Sequence, residues 1–531
     1  MFIDETTAQR IGLDRVLHRL QPLSPYGKLM KEKQKYFAPG CEDILRREWQ
    51  RVHSLVQAWD LHRAKFQNVE LVFHTLRDIR AVVRKACNGY VLEDVDLYEI
   101  KSFIQGTREL EKELSEIWAI PPSLRIPPVP QLWGRLALGG EGGFYLDDSF
   151  ALGLASLRRQ MRQLQTKLAG ARREAQLRIA KETGRSFNHL GRLRVSKLDT
   201  EILEQLAQRR DLLLASETYM EVEYVLRDSQ DMVALGGQLQ ETQQRIEALE
   251  HRVRKELTQS VVASSRRLLA ACRRLGGIDL LLAKARLARE TGGSMPELQA
   301  APLELESFVN PVVNEFLAEQ GLSFQPLSLK LGTTVTVITG ANMGGKSVSL
   351  KSLGLAVAMA QWGLLVPAHS FRFSLRSFVF YSQQDEDPGQ GLSTFGTEIN
   401  SLAEVLPRRN EPGLFLLDEP ARGTNPWEGS ALVKGLIAWL REGSSLALVA
   451  THFPGLFNME QVTHLQVAGL AEANLEQLED LGAEGIRSLQ ELMDYSLVPG
   501  HGKIPRDALK VAAFLGLDPE ILSRAAQELE S

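Results

Sequence analysis

The segment VTVITGANMGGKSVSLKSL, residues 335–353, places two patterns back to back. Val335, Thr336, Val337, Ile338 and Thr339 are a β-branched and apolar run that predicts a buried strand. The run breaks at Gly340, and helical spacing begins at Ser347. Between them the residues fit G-x-x-x-x-G-K-[ST], with the required strand before and helix after. Glycines at 340, 344 and 345 let backbone N–H groups turn toward phosphate oxygens without a Cβ in the way. The helix start adds partial positive charge, Lys346 can neutralise β/γ-phosphates, and the Ser347 hydroxyl can ligate Mg²⁺. A nucleotide site is therefore expected on Gly340, Asn342, Met343, Gly344, Gly345, Lys346, Ser347 and Val348.

The composition sets bounds around this site. At 531 residues the chain has room for two to four domains. Hydrophobic content of 44% and charged content of 24% are those of an ordinary soluble protein. A net charge of -4 gives no global signature of a nucleic-acid binder, so any such surface must be local. Cys41, Cys87 and Cys272 fit no metal or disulfide spacing, which favours core filling in a reducing compartment. The start, MFIDETTAQR, lacks the regions of a signal peptide. The longest nearly apolar run, residues 354–368, is too short for a bilayer. A cytoplasmic protein with no membrane partner is expected.

Residues 1–118 predict helices, with apolar positions such as Val52, Leu55, Val56 and Trp59 three and four apart. The proline-rich run at 121–130 is either a domain boundary or a long connection within one helical domain, and the second is preferred. Residues 151–198 carry twelve Lys or Arg against Glu174 and Glu182, a strongly basic segment on a mildly acidic chain. A solvated helix face would give the same pattern. So would a phosphate-backbone contact, for which Arg172, Arg173, Arg178, Arg192 and Arg194 are the candidates. Residues 184–198 break the helical period and are expected at the tip of a hairpin. Residues 200–290 then predict long helices, with a narrow seam of Ile246, Leu249, Val253, Leu257, Val261 and Leu268 that suits a slender antiparallel coiled arm. After Thr291, short apolar strands alternate with helices to about 465, the pattern of an α/β nucleotide-binding domain.

Three more elements belong to that domain. Leu414, Phe415, Leu416 and Leu417 predict a buried strand ending in Asp418 and Glu419. Carboxylates at that end of a parallel sheet face the crevice where ligands bind. Asp418 would hold Mg²⁺, and Glu419 would orient and deprotonate the attacking water. Ser393 and Thr394 open a helix, where hydroxyls normally cap, but where the same dipole end can also meet a phosphate. Residues 446–450 predict another buried strand that ends at Thr451 and His452, and His452 is placed to sense a γ-phosphate.

The order GANMGGKS, STF, FLLDEPARGTN, ATH resembles that of the MutS family of ATPases, relatives of the ABC-type fold. Asn310-Pro311, the block 145–162 and the tail 508–525 are similar to that family's connecting, lever and C-terminal segments. The resemblance implies an α + α/β multidomain protein. Its parts would be a helical core or lever domain at 1–146, lever helices with a short clamp arm at 147–295, a P-loop ABC/MutS-type ATPase domain at 296–470, and a C-terminal helical dimerisation segment at 471–531. It also implies ATP and Mg²⁺, and a dimer with itself or a paralogous subunit, each ATP held between one phosphate loop and the other subunit's Ser393 helix. Catalytic roles fall on Lys346, Glu419 and His452, and metal ligation on Ser347 and Asp418. This sequence departs from the family pattern in several places. A protein without an N-terminal mismatch-reading domain and without a nuclease-like tail is expected, and Pro420-Ala421 replaces the usual Ile-Gly. The leading expectation is an ATPase that clamps DNA without reading mismatched bases. The alternative is a protein-remodelling ATPase that reactivates a metabolic enzyme such as a cobalamin-dependent aminomutase.

Overall fold

A computed structural model describes residues 1–138, 140, 143–340, 345–383, 394–453, 456, 459–470, 493–500, 509, 512–513 and 517–530. The chain forms two compact units. One comprises Met1–Thr75, Leu110–Arg125 and Arg273–Ser531, and the other Leu76–Glu109 and Ile126–Cys272. One of the divisions falls between Arg125 and Ile126, inside the proline-rich run. That run is thus a boundary rather than a connection within one domain.

In the first unit a six-stranded sheet runs in the order Met493–Pro499, Val462–Leu470, Val335–Thr339, Leu446–Ala450, Leu414–Asp418, Val379–Ser382. All neighbours are parallel except the Met493–Pro499 edge strand. The interior strands Val335–Thr339 and Leu414–Asp418 and the edge strand Val379–Ser382 are buried at every position, as expected where both faces of a parallel sheet are covered. On one face Phe415 and Leu417 pack with Val433, Ile437 and Leu440 of the helix Pro426–Arg441. On the other, the helix Lys346–Gln361 lies so close that a Cβ on Gly354 would sit 2.6 Å from Leu416 Cδ1. This two-period alternation of the strand is what lets one sheet carry two helical layers. A second sheet orders Glu297–Leu298, Ser370–Phe373, Leu303–Phe308, Leu327–Leu331. The Met493–Pro499 strand carries the six-stranded sheet past residue 470, into the stretch expected to be helical.

The N-terminal residues are helical as expected. In Glu42–Leu61, Leu45, Trp49, Val52, Leu55 and Trp59 make one buried stripe, and Glu42 and Asp43 favour the start of the helix.

In the second unit the helices Leu154–Thr183 and Gln230–Thr291 pack antiparallel over the residues they share there. Arg158 pairs with Glu250, and further along Arg172 pairs with Asp228. Leu168, Ala175 and Met232 fill the seam between them. The slender coiled arm is therefore present. However, residues 184–229 are neither a hairpin tip nor helix throughout. Strands Arg192–Ser196, Leu212–Glu217 and Glu221–Leu226 form an antiparallel sheet, and the helix Thr200–Ala207 packs on it. Ile179, Leu193, Val195, Leu206, Leu212, Val222 and Tyr224 make its core. Gly184, at φ +69°, ends the preceding helix in a left-handed turn that a β-carbon would strain. No helix among the described residues is long and apolar enough to cross a membrane.

Candidate nucleotide site

The strands Val335–Thr339, Leu446–Ala450 and Leu414–Asp418 are neighbours, so their C-terminal ends bring Gly340, Thr451-His452 and Asp418-Glu419 to one crevice. This is the end of a parallel sheet where ligands bind. Gly340 has φ +150°, and a Cβ there would meet Val467 Cβ at 3.0 Å. Gly345 has φ +79° and caps the Lys346–Gln361 helix, and a Cβ there would meet Tyr495 Cδ1 at 2.9 Å. Ser347 and Val348 are half-buried in the first turn. Asn342, Met343, Gly344 and Ser393 lie outside the described residues, as does the side chain of Thr394.

Lys346 is 5% exposed, and its ammonium donates to the Gly340 carbonyl at 2.7 Å. Burial lowers its pKa, against the opposing pull of Glu419 and Asp418. The Lys346 Nζ is 3.8 Å from Glu419 Oε1. Arg422 Nη1 lies 3.1 Å from Glu419 Oε2, and His452 Nδ1 lies 3.9 Å from Glu419 Oε1. Three basic side chains thus surround one carboxylate, whose backbone sits at φ +49°, a strained value for a residue with a Cβ. The Glu419 N–H holds this turn by donating to the Ala450 carbonyl at 2.9 Å. Glu398, in the helix Thr394–Val405, accepts from the Ala421 N–H at 3.3 Å, bracing the same turn.

Asp418 is buried. Its Oδ2 accepts from the Tyr381 hydroxyl at 2.8 Å, while its Oδ1 is buried without a hydrogen-bond partner among the described residues. An orphaned carboxylate oxygen is uncommon and calls for an explanation. A hard cation that takes only one or two protein carboxylates and completes its shell with water and phosphate fits this oxygen. Ser347, in the first turn after the loop, is the other available hydroxyl ligand.

The residues expected from sequence to act together do converge here: Lys346, Asp418, Glu419 and His452. Sequence reasoning gave no role to Tyr381, Lys351, Arg422 or Glu398. Arg422 stands inside the quoted FLLDEPARGTN run, but nothing in the pattern says that its side chain turns back on Glu419.

The five arginines proposed for DNA lie elsewhere, in the second unit. Arg172 makes a two-pronged pair with Asp228 at 2.6 and 3.1 Å. Arg192 and Arg194 both reach Glu223 at 2.6 Å. They are two residues apart on one strand, hence on one face, and Glu223 lies directly across from Arg194 and diagonal to Arg192 on the next strand. Hydrogen bonds from Arg192, Arg194 and Ser216 hold the Glu223 carboxyl down to about 2. The stabilisation this gives is complete above pH 4.5 and is lost as pH falls toward 2. The excess positive charge of residues 151–198 is therefore partly answered by acids further along the chain. Arg173 and Arg178 are exposed.

The model of MutS domain V matches residues 336–531. The protein named Endonuclease MutS2 of Thermomicrobium roseum is 28% identical over 486 residues, covering 86% of this chain and 57% of the relative. Residues 336–531 are thus similar to MutS domain V, and the chain over most of its length to MutS-family proteins. Another Endonuclease MutS2, from Symbiobacterium thermophilum, is 28% identical over 475 residues, 86% of this chain and 55% of that MutS protein. A third, from Staphylococcus epidermidis, is 35% identical over 228 residues, 42% and 29% of the respective chains. The chain thus spans little more than half the length of the MutS2 relatives that it matches most broadly.

Proposed function

We propose that this chain is a MutS-family, Mg²⁺-dependent ATP hydrolase that works as a dimer, with itself or a paralogous subunit, and couples the ATP cycle to a clamp on DNA. The observation that carries the ATPase reading is the buried Oδ1 of Asp418, unpartnered among the described residues, beside Lys346 and Glu419 at the strand ends. Bound Mg²⁺ would neutralise phosphate oxygens, and Asp418 and Ser347 are the residues that would hold it. Lys346 would give up its contact with Gly340 to pair with the phosphates. Glu419, oriented by Arg422 and its strained turn, would accept a proton from the attacking water. His452, its side chain 46% exposed at the crevice, would meet the terminal phosphate.

The DNA reading rests on the family and on Arg173 and Arg178, whose exposure leaves them able to meet phosphates. Substituting both by Ala is expected to lower the slope of log K against log salt by about two, since each phosphate contact releases about one counterion. Changing Arg192 and Arg194 should instead loosen the small sheet by leaving Glu223 unpaired. A shift assay over a salt series reads the first effect, and thermal melting reads the second. A wild-type chain that shifts neither duplex, mismatched nor branched DNA at low salt would sink the DNA reading. One observation favours a protein client instead: Leu190, Leu198, Tyr219 and Met220 are all strongly exposed on the small sheet module. In that case ATP turnover would rise with a client protein and not with DNA.

A further inference from the structure

The hydroxyl of Tyr381, itself 1% exposed, donates to Asp418 Oδ2 at 2.8 Å and also lies 3.0 Å from Gln383 Oε1. Asp418 therefore has one oxygen engaged and the other, Oδ1, buried and unpartnered among the described residues. Lys351 Nζ sits over the Tyr381 ring, 5.5 Å from its centre. Burial lowers the pKa of this lysine, and the charge of Asp418 opposes that shift. A cation on a ring face draws electron density from the phenol and makes its O–H a stronger donor. Tyr381 and Asp418 come from adjacent parallel strands, with Tyr381 opposite Leu416, so the sheet fixes the pair.

We infer that Tyr381 is a positioning residue for the metal: by holding Oδ2 it fixes the Asp418 carboxylate so that Oδ1 alone is presented to Mg²⁺. This rests on the nucleotide-site reading above. A ligand held by a hydrogen bond from behind keeps its orientation when the metal leaves, and removing such a partner typically weakens metal affinity by about 10- to 100-fold.

Tyr381→Phe keeps the ring, its packing and the Lys351 contact, and deletes only the hydroxyl. The test is binding of a fluorescent, non-hydrolysable ATP analogue, first in EDTA and then across a Mn²⁺ titration. In EDTA the variant is expected to bind within about two-fold of wild type. The Mn²⁺ concentration that gives half of the metal-dependent tightening should rise about ten-fold or more. An unchanged Mn²⁺ midpoint overturns the inference, and so does an equal loss with and without metal, because that is what a packing role would give. If wild type itself binds no analogue, the nucleotide-site reading falls and takes this inference with it. A wild type that responds to Mn²⁺ beside either of those two outcomes in the variant removes Tyr381 alone.

If Tyr381→Phe does not fold, Gln383→Leu serves. Among the described residues the hydroxyl hydrogen is shared between two acceptors, so deleting one strengthens its bond to Asp418. The Mn²⁺ midpoint should stay the same or fall, and a ten-fold rise would overturn the inference.

Discussion

Lys346→Ala is expected to abolish measurable ATP binding while leaving the fold intact. The ammonium is buried, bonded to the Gly340 carbonyl, and 3.8 Å from Glu419. In such a dry site, truncating one partner of a hydrogen-bonded charge pair costs about 2–5 kcal/mol. That is roughly 30- to several-thousand-fold in affinity. The phosphates would then face Asp418 and Glu419 without the cation that offsets them. Stability should not follow affinity down. Burial disfavours the charged lysine in the folded state, which offsets part of what the loss of its contacts with Gly340 and Glu419 would cost the nucleotide-free fold. Titration with a fluorescent ATP analogue beside a melting curve without nucleotide separates the two. Wild-type affinity in the variant would remove Lys346 from the phosphate-binding role.

Glu419→Gln is expected to do the reverse: bind ATP at least as well as wild type, and hydrolyse it about 10²- to 10⁴-fold more slowly. The amide keeps the shape of the side chain and its reach to Arg422, but it cannot take a proton from water. It also removes one negative charge from beside the phosphates, which favours binding. Filter binding and single-turnover hydrolysis on the same preparation read both effects. Full turnover in the variant would assign the base elsewhere.

The candidate nucleotide site was legible because each of its parts carries a local signal: a β-branched strand, a glycine turn, a helix, and a strand ending in two acids. The small sheet in the arm was not. Leu212-Leu-Leu is a short apolar run that periodicity cannot separate from helix, and Leu213 and Leu214 turn out to be exposed, so no buried-face pattern marks it. The arginine pairs were hidden for a related reason. Counting charge along residues 151–198 leaves out Glu223 and Asp228, which fold back onto the segment from 29 to 56 positions away. Tyr381 carries no motif at all. It reads as one more buried strand residue until the neighbouring strand brings Asp418 to its hydroxyl.

The turn at Glu419 and Ala421, with φ of +49° and +60°, is uphill by about 1–3 kcal/mol at each residue. Glycine at either position would relax it. A laboratory screen that rewards heat resistance alone would therefore drift toward robust but inert variants at the Glu419 codon. Directed evolution of this chain needs turnover as a second criterion, because durability and chemistry pull against each other in this loop.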